Sequence, residues 1–305
     1  MTLSVPVYHR VASAPPVPAG LPLVIALTGF TDAGSAVSRV ISYVREELEP
    51  TPIAVFENDI LLDYRARRPV ISFEHDHLTD YRPPRLELSL VHDSLGQPFI
   101  TLTGYEPDFA WDTFTAAVLD LAAELEVSSV TWVHAIPMPV PHTRPLGTTV
   151  SGTRTELTAA HSVWQPETQV PATVGHLVEY RFAETGADVA GFVLLVPHYL
   201  ADTQFPAAAL AALDSITIAT GLVFAGEELR DENREYLEKV QEQVSGSDEL
   251  QRMIESLEER YDAYMAGATN ATPIIHTGDL PTADEIAAEL ERYLATRPAG
   301  DDDKG

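Results

Sequence analysis

Pro22-Leu-Val-Ile-Ala-Leu-Thr28, followed by Gly29-Phe-Thr-Asp-Ala-Gly34, decides the fold. The first piece is a continuous apolar run, the pattern of a strand buried on both faces. Beyond Gly34, Val37, Val40, Ile41, Val44 and Leu48 recur at helical spacing, and Pro50 and Pro52 stop the helix they predict. Ile53–Phe56 reads as the next strand. A strand–helix–strand unit implies two strands running in the same direction.

The same alternation continues along the chain. A helix is expected from Asp108, with Phe109, Phe114, Ala117, Val118 and Leu121 on its apolar face. Val130–Ile136 and Val189–Val196 read as buried strands, Val174–Ala183 as a helix, and Pro206 opens another that Gly221 ends. The predicted fold class is therefore α/β, a three-layer αβα core with a mostly parallel sheet over residues 21–225. Residues 1–20 form an extended N-terminal segment. Ile71–Phe73, Leu86–Val91 and Phe99–Leu102 are short β-rich pieces that predict a hairpin or meander inserted over about residues 63–103.

The last 80 residues differ in character. From Gly226 they hold 21 acids and 8 bases, against 25 and 11 in the first 225. Leu229, Tyr236, Leu237, Val240 and Val244 make one amphipathic stripe; Leu250, Met253, Ile254, Leu257, Tyr261 and Met265 make a second. Thr282-x-x-Glu285 is a capping box for a third helix. Residues 226–296 are thus expected to be a helical subdomain that must pack on the core, with a frayed tail over 297–305.

Composition excludes several function classes. Across 305 residues, Lys+Arg 19 stand against Asp+Glu 46, a net charge of −27. Nucleic acid and anionic membrane both need clustered positive charge, so neither is an expected partner. The longest apolar run is eight residues, well short of the roughly 20 that span a bilayer. No cysteine is present, which removes disulfides, thiolate metal sites and cysteine nucleophiles and suits a cytoplasmic chain. No cofactor and no metal site is expected. His75-x-His77 could bind a metal from one strand face, but an exposed strand is the commoner meaning of that spacing.

Candidate binding residues sit after the predicted strands. Gly29, Phe30 and Asp32 follow the first, where Asp32 either caps the helix or borders an anion site at its N-terminus. Glu106 lies just past a later strand end, with Asp108 read as an N-cap. Pro141-His-Thr-Arg-Pro145 holds His142 and Arg144 on a stiff loop, suited to acid–base work and anion recognition. The alternative for Arg144 is an ion pair with a neighbouring carboxylate. Val196-Pro-His-Tyr199 places His198 and Tyr199 the same way. Parallel strands bring such residues to one edge, where a crevice and a helical lid over it are expected. Ser151 lacks the Gly-x-Ser-x-Gly elbow, and no catalytic spacing is recognisable, so the catalytic residues are unknown.

Taken in order, Gly29–Gly34, Asp63-Tyr-Arg-Ala-Arg-Arg-Pro69, Gly104-Tyr-Glu-Pro-Asp108 with Trp111, Pro141–Pro145 and Val196–Tyr199 resemble the proteasome assembly chaperone 2 family. The resemblance is to its actinobacterial branch and runs from about Leu21 to Leu294. It implies a core like that of nucleoside phosphorylases and peptidyl-tRNA hydrolases, without their catalytic sets. It also implies a homotrimer, a β-hairpin insertion used in assembly, and a helical lid over a ligand pocket. Eukaryotic and archaeal relatives help assemble proteasomes, whereas the bacterial branch has no settled activity. Asp202-Thr-Gln-Phe-Pro-Ala207 departs from the branch in lacking a Ser and a Lys, and the chain ends Asp303-Lys-Gly305 without a hydrophobic-Tyr-any tail. The expected function is a non-catalytic oligomeric assembly or interaction factor. Its expected partners are its own copies and a proteasome-related protein or small anionic ligand. The alternative is a small-molecule hydrolase, transferase or ligand sensor working at the crevice.

Overall fold

A computed structural model describes residues 6–164 and 167–267. In chain order these hold β1 (Tyr8–Arg10), β2 (Pro22–Thr28), α1 (Ala36–Glu47), β3 (Thr51–Phe56), α2 (Asn58–Leu61), β4 (Val70–Glu74) and β5 (His77–Arg82). There follow β6 (Glu87–His92), β7 (Pro98–Tyr105), α3 (Trp111–Glu124), β8 (Ser129–Met138), β9 (Thr148–Gly152) and α4 (Thr155–His161). The chain continues through α5 (Val174–Thr185), β10 (Val189–Pro197), α6 (Pro206–Thr220), α7 (Glu227–Ser245) and α8 (Asp248–Met265).

Eight strands form one sheet in the order β1-β3-β6-β7-β2-β8-β10-β9. Its four central strands, β7, β2, β8 and β10, are parallel, and the outer pairings are antiparallel. The α/β three-layer architecture is therefore present, with a mixed sheet. β2 shows why: Val24 and Ala26 point to one face, Leu23 and Ile25 to the other, and all four are buried. The first face is covered by α1 and α6, the second by α3 and α5. Ala208, Ala209 and Ala212 of α6 are fully buried, and their small side chains let that helix sit close on the sheet beside α1.

Four details differ from the sequence reading. β3 runs in the same direction as β2 but does not pair with it, because β6 and β7 stand between them. The stretch 63–103 accordingly divides. β6 and β7 are integral, buried sheet strands, and only β4–β5 forms a separate two-stranded sheet. The apolar runs of β6 and β7 read as part of an inserted hairpin or meander, yet β6 is buried along nearly its whole length. The N-terminal segment contributes an edge strand, β1, with Val7 buried beside it. Finally, α3 starts at Trp111, leaving Phe109 half exposed.

α7 and α8 match the two amphipathic stripes. The helix expected after Thr282 and the tail over 297–305 lie outside the described residues. Among the described residues no helix is long and apolar enough to cross a membrane.

Candidate functional site

The carboxyl ends of β2, β7, β8 and β10 share one sheet edge, so the loops after them lie side by side. The eight residues proposed for the crevice stand on these loops, but they fall into separately bonded groups.

Glu106 is buried and joins three segments. One carboxyl oxygen accepts from the Val174 N–H at the start of α5 (2.6 Å), and the other from the Phe30 N–H after β2 (3.2 Å). Gly29 makes this possible: a Cβ there would stand 2.0 Å from Glu106 Oε2. The Phe30 ring is left 70 % exposed above the junction.

Asp32 does not leave the α1 N-terminus open to an external anion. Its Oδ1 accepts from Val37 N–H (2.7 Å) and its Oδ2 from Ser38 N–H (2.9 Å) and the Ser38 hydroxyl (2.7 Å). The helix-end donors are satisfied from within the chain. Asp108 is likewise not an N-cap: it accepts from Asp63 N–H (2.7 Å) and pairs with Arg67, while Arg67 also donates to the Glu106 carbonyl (2.7 Å). These bonds fix the base of the β4–β5 hairpin.

His142 and Tyr199 form the next group. The Tyr199 hydroxyl accepts from His142 N–H and meets His142 Nδ1, each at 2.8 Å. Burial holds His142 below the usual histidine range and pushes Tyr199 up to about 12. His198 is exposed and stacks edge-on against Tyr199, ring centroids 5.4 Å apart.

Arg144 is engaged by α8. Its Nε and Nη2 bind the two oxygens of Asp262 at 2.8 and 2.7 Å, and Nη1 reaches Glu258 at 3.3 Å. This bidentate fork holds the Asp262 carboxyl below the ordinary carboxylate range.

Sequence reading missed residues that line a small cavity at this edge: Trp132, His134, Thr173 and Gly175, which face Gly29, Phe30 and Glu106. Their signal was the i, i+2 spacing of Trp132 and His134 on β8, hidden inside a run read only as apolar core. Gly175 is required because a Cβ would lie 2.6 Å from the Trp132 ring. His134 Nε2 binds the Thr31 hydroxyl at 3.0 Å, and burial lowers its pKa to about 4. The cavity measures about 20 Å³, room for one water and not for a metabolite.

Two further candidates are accounted for. Ser151 donates to Glu179 (2.8 Å), which also accepts from Trp132 Nε1 (2.6 Å); burial raises the Glu179 carboxyl, and no histidine activates the serine. His75 lies in the β4–β5 turn at φ 55°, so it and His77 do not share a strand face. Among the described residues no cluster of three metal-ligating side chains occurs.

A family model for the PAC2 family matches residues 26–244. The chain belongs to the PAC2 family. Two solved structures of unknown function resemble it well above the level at which only folds are shared. A Corynebacterium glutamicum protein is 34% identical, with a TM-score of 0.82, covering 87% of this chain and 100% of its own. A Mycobacterium tuberculosis protein is 38% identical, with a TM-score of 0.79, covering 86% and 93%. The PAC2 fold extends to a proteasome-assembly chaperone homologue of M. tuberculosis, 20% identical with a TM-score of 0.70, covering 77% and 100%. No curated protein matches the chain.

Proposed function

We propose that this PAC2 chain is a non-catalytic, self-associating assembly or interaction factor of the cytoplasm, trimeric as the family resemblance implies. One observation carries the reading. The β4–β5 hairpin stands outside the main sheet and exposes Val70, Ile71, Phe73, Leu78 and Tyr81, with Phe73 opposite Leu78 across the pair. A lone two-stranded ribbon is marginal in water, and grouped apolar side chains on a surface mark an interface. Its base is nonetheless anchored through Arg67 and Asp108. A rigidly mounted ribbon with an unpaired apolar surface is suited to clasp another copy.

The strand-end residues support the same reading. Asp32, Glu106 and Arg144 have their polar atoms bound within the chain, and His142 shares its Nδ1 with the Tyr199 hydroxyl. A small anionic ligand at Gly29, Phe30, Asp32, Glu106, His142, Arg144, His198 and Tyr199 would need these bonds exchanged. Phe30 and His198 are the exposed side chains of the set, beside the exposed backbone of Gly29, and we assign them to protein contact. The fold shared with the M. tuberculosis chaperone homologue and with a Pyrococcus furiosus archaeal proteasome activator (13% identity, TM-score 0.59) supports a partner related to the proteasome.

Replacing Phe73→Glu and Leu78→Glu together is expected to break self-association while circular dichroism and thermal midpoint stay unchanged. Light scattering reads the outcome. A variant that keeps the wild-type assembly mass overturns the role given to the hairpin.

A further inference from the structure

α7 and α8 form an arm: α7 joins the apolar core through Leu229, Tyr236, Leu237, Val240 and Val244, whereas α8 meets the core through Tyr261, Tyr264 and polar bonds. Of the arm's residues only Leu229, Val240, Ile254 and Leu257 are buried. Its polar ties include the Arg39–Glu232 pair, a Tyr236–Thr203 hydroxyl bond (2.6 Å), the Arg144–Asp262–Glu258 fork, Thr143 donating to Glu258, and Tyr261 donating to the Pro145 carbonyl (3.2 Å). Exposed ion pairs add little stability and are screened by salt.

Under α8 the core presents a built surface. Met138, Val140 and Leu195 form an apolar floor, against which Tyr261 and Tyr264 pack. Arg144 stands at its rim on the loop between Pro141 and Pro145, with its fork aimed at the helix. Glu258 and Asp262 are four residues apart, so they share a helix face and reach the same guanidinium. The chemistry of a suitable occupant can be read from this fit: a helix carrying two carboxylates one turn apart beside a tyrosine.

We propose that this trough is a docking site for an acidic, tyrosine-bearing helix of a partner protein, and that α8 is its displaceable occupant in cis. A tethered occupant competes at high effective concentration, so the partner gains access only in the fraction of molecules whose arm is open. The proposal rests on the reading of this edge as a protein-contact surface. It uses a different surface from the hairpin, so either can fail while the other stands.

The test uses a fluorescent peptide of residues 247–267 as probe, with anisotropy read on the full chain. In a Glu258→Gln/Asp262→Asn chain, the weakened arm is expected to let the peptide bind roughly tenfold tighter than to wild type. Adding Arg144→Gln to that chain is expected to abolish the gain. Equal binding to the wild-type and double-variant chains, or a gain that survives Arg144→Gln, overturns the proposal. Hydrogen exchange on the unmutated chain guards against a folding defect in the variants. Raising NaCl to about 1 M, where the screening length falls to about 3 Å, is expected to speed exchange in α8 but not in α5. Unchanged α8 exchange also overturns it.

Discussion

Gly29→Ala is expected to destabilise the protein by about 3 kcal/mol, lowering the thermal midpoint by roughly 6–12 °C. The new Cβ would lie 2.0 Å from Glu106 Oε2 and 2.7 Å from the Glu106 Cβ and Cδ. Rotating the far end of the side chain cannot relieve both contacts, so Glu106 must leave its place. It would then lose its bonds to Phe30 N–H and Val174 N–H, and the β2 exit, the β7 exit and the α5 start would come apart. An unpaired buried carboxyl and two unpaired donors add to the steric cost. Gly246→Ala is the control: Gly246 has φ −84° and a built Cβ meets only backbone oxygens at 3.5 and 3.6 Å, so its change is expected to be near neutral. Differential scanning calorimetry compares the two. A Gly29→Ala protein as stable as Gly246→Ala would show that Glu106 is not the tie described.

Acid is expected to weaken the fold through His134. Its pKa is lowered to about 4 by burial, with the neighbouring His176 adding to the effect. The free imidazole titrates near 6.5, so the unfolded chain binds a proton that the folded chain refuses. Stability tied to His134 is therefore complete above about pH 6.5 and lost as pH falls from there toward 4. Over that window the loss is about 3 kcal/mol, at about 1.4 kcal/mol per pH unit. His176 acts in the same direction: burial lowers its pKa too, and its Nδ1 accepts from Thr173 N–H (3.0 Å) in the α5 capping box. Protonating that nitrogen breaks the cap. His134→Gln isolates the first contribution, because the amide nitrogen stands near the position of Nε2 and does not titrate. In urea unfolding between pH 7.5 and 4.5, wild type is expected to lose about 2–3 kcal/mol more than His134→Gln. Parallel pH profiles would contradict the assignment.

Much of the architecture was legible because the central strands are buried on both faces. Pro22–Thr28 and Val189–Pro197 read as continuous apolar runs, and the helices between them carry a single apolar stripe. Strand order was not legible. β6 and β7 sit between β2 and β3 through long-range pairing, which no local periodicity encodes. At the strand ends the sequence left two readings open, a ligand contact or a bond within the chain, and Asp32 and Arg144 take the second. A carboxylate after a strand looks the same whether it faces a ligand or, like Asp32 and Glu106, a helix N-terminus of its own chain. Arg144 posed the same choice between a ligand and a carboxylate of the protein, and the α8 carboxylates that engage it lie more than a hundred residues away. His134 was missed because a lone histidine within an apolar strand gives the sequence pattern of core. Only the packing of Gly175 against Trp132 shows that β8 lines a cavity.

The central claim is that the chain functions by associating with itself and with other proteins, not by turning over a small molecule. Native mass spectrometry of the purified wild-type protein tests it in one spectrum. The account predicts a species of three 33.3 kDa copies with no added ligand mass. A single copy carrying a stoichiometric small molecule would contradict it.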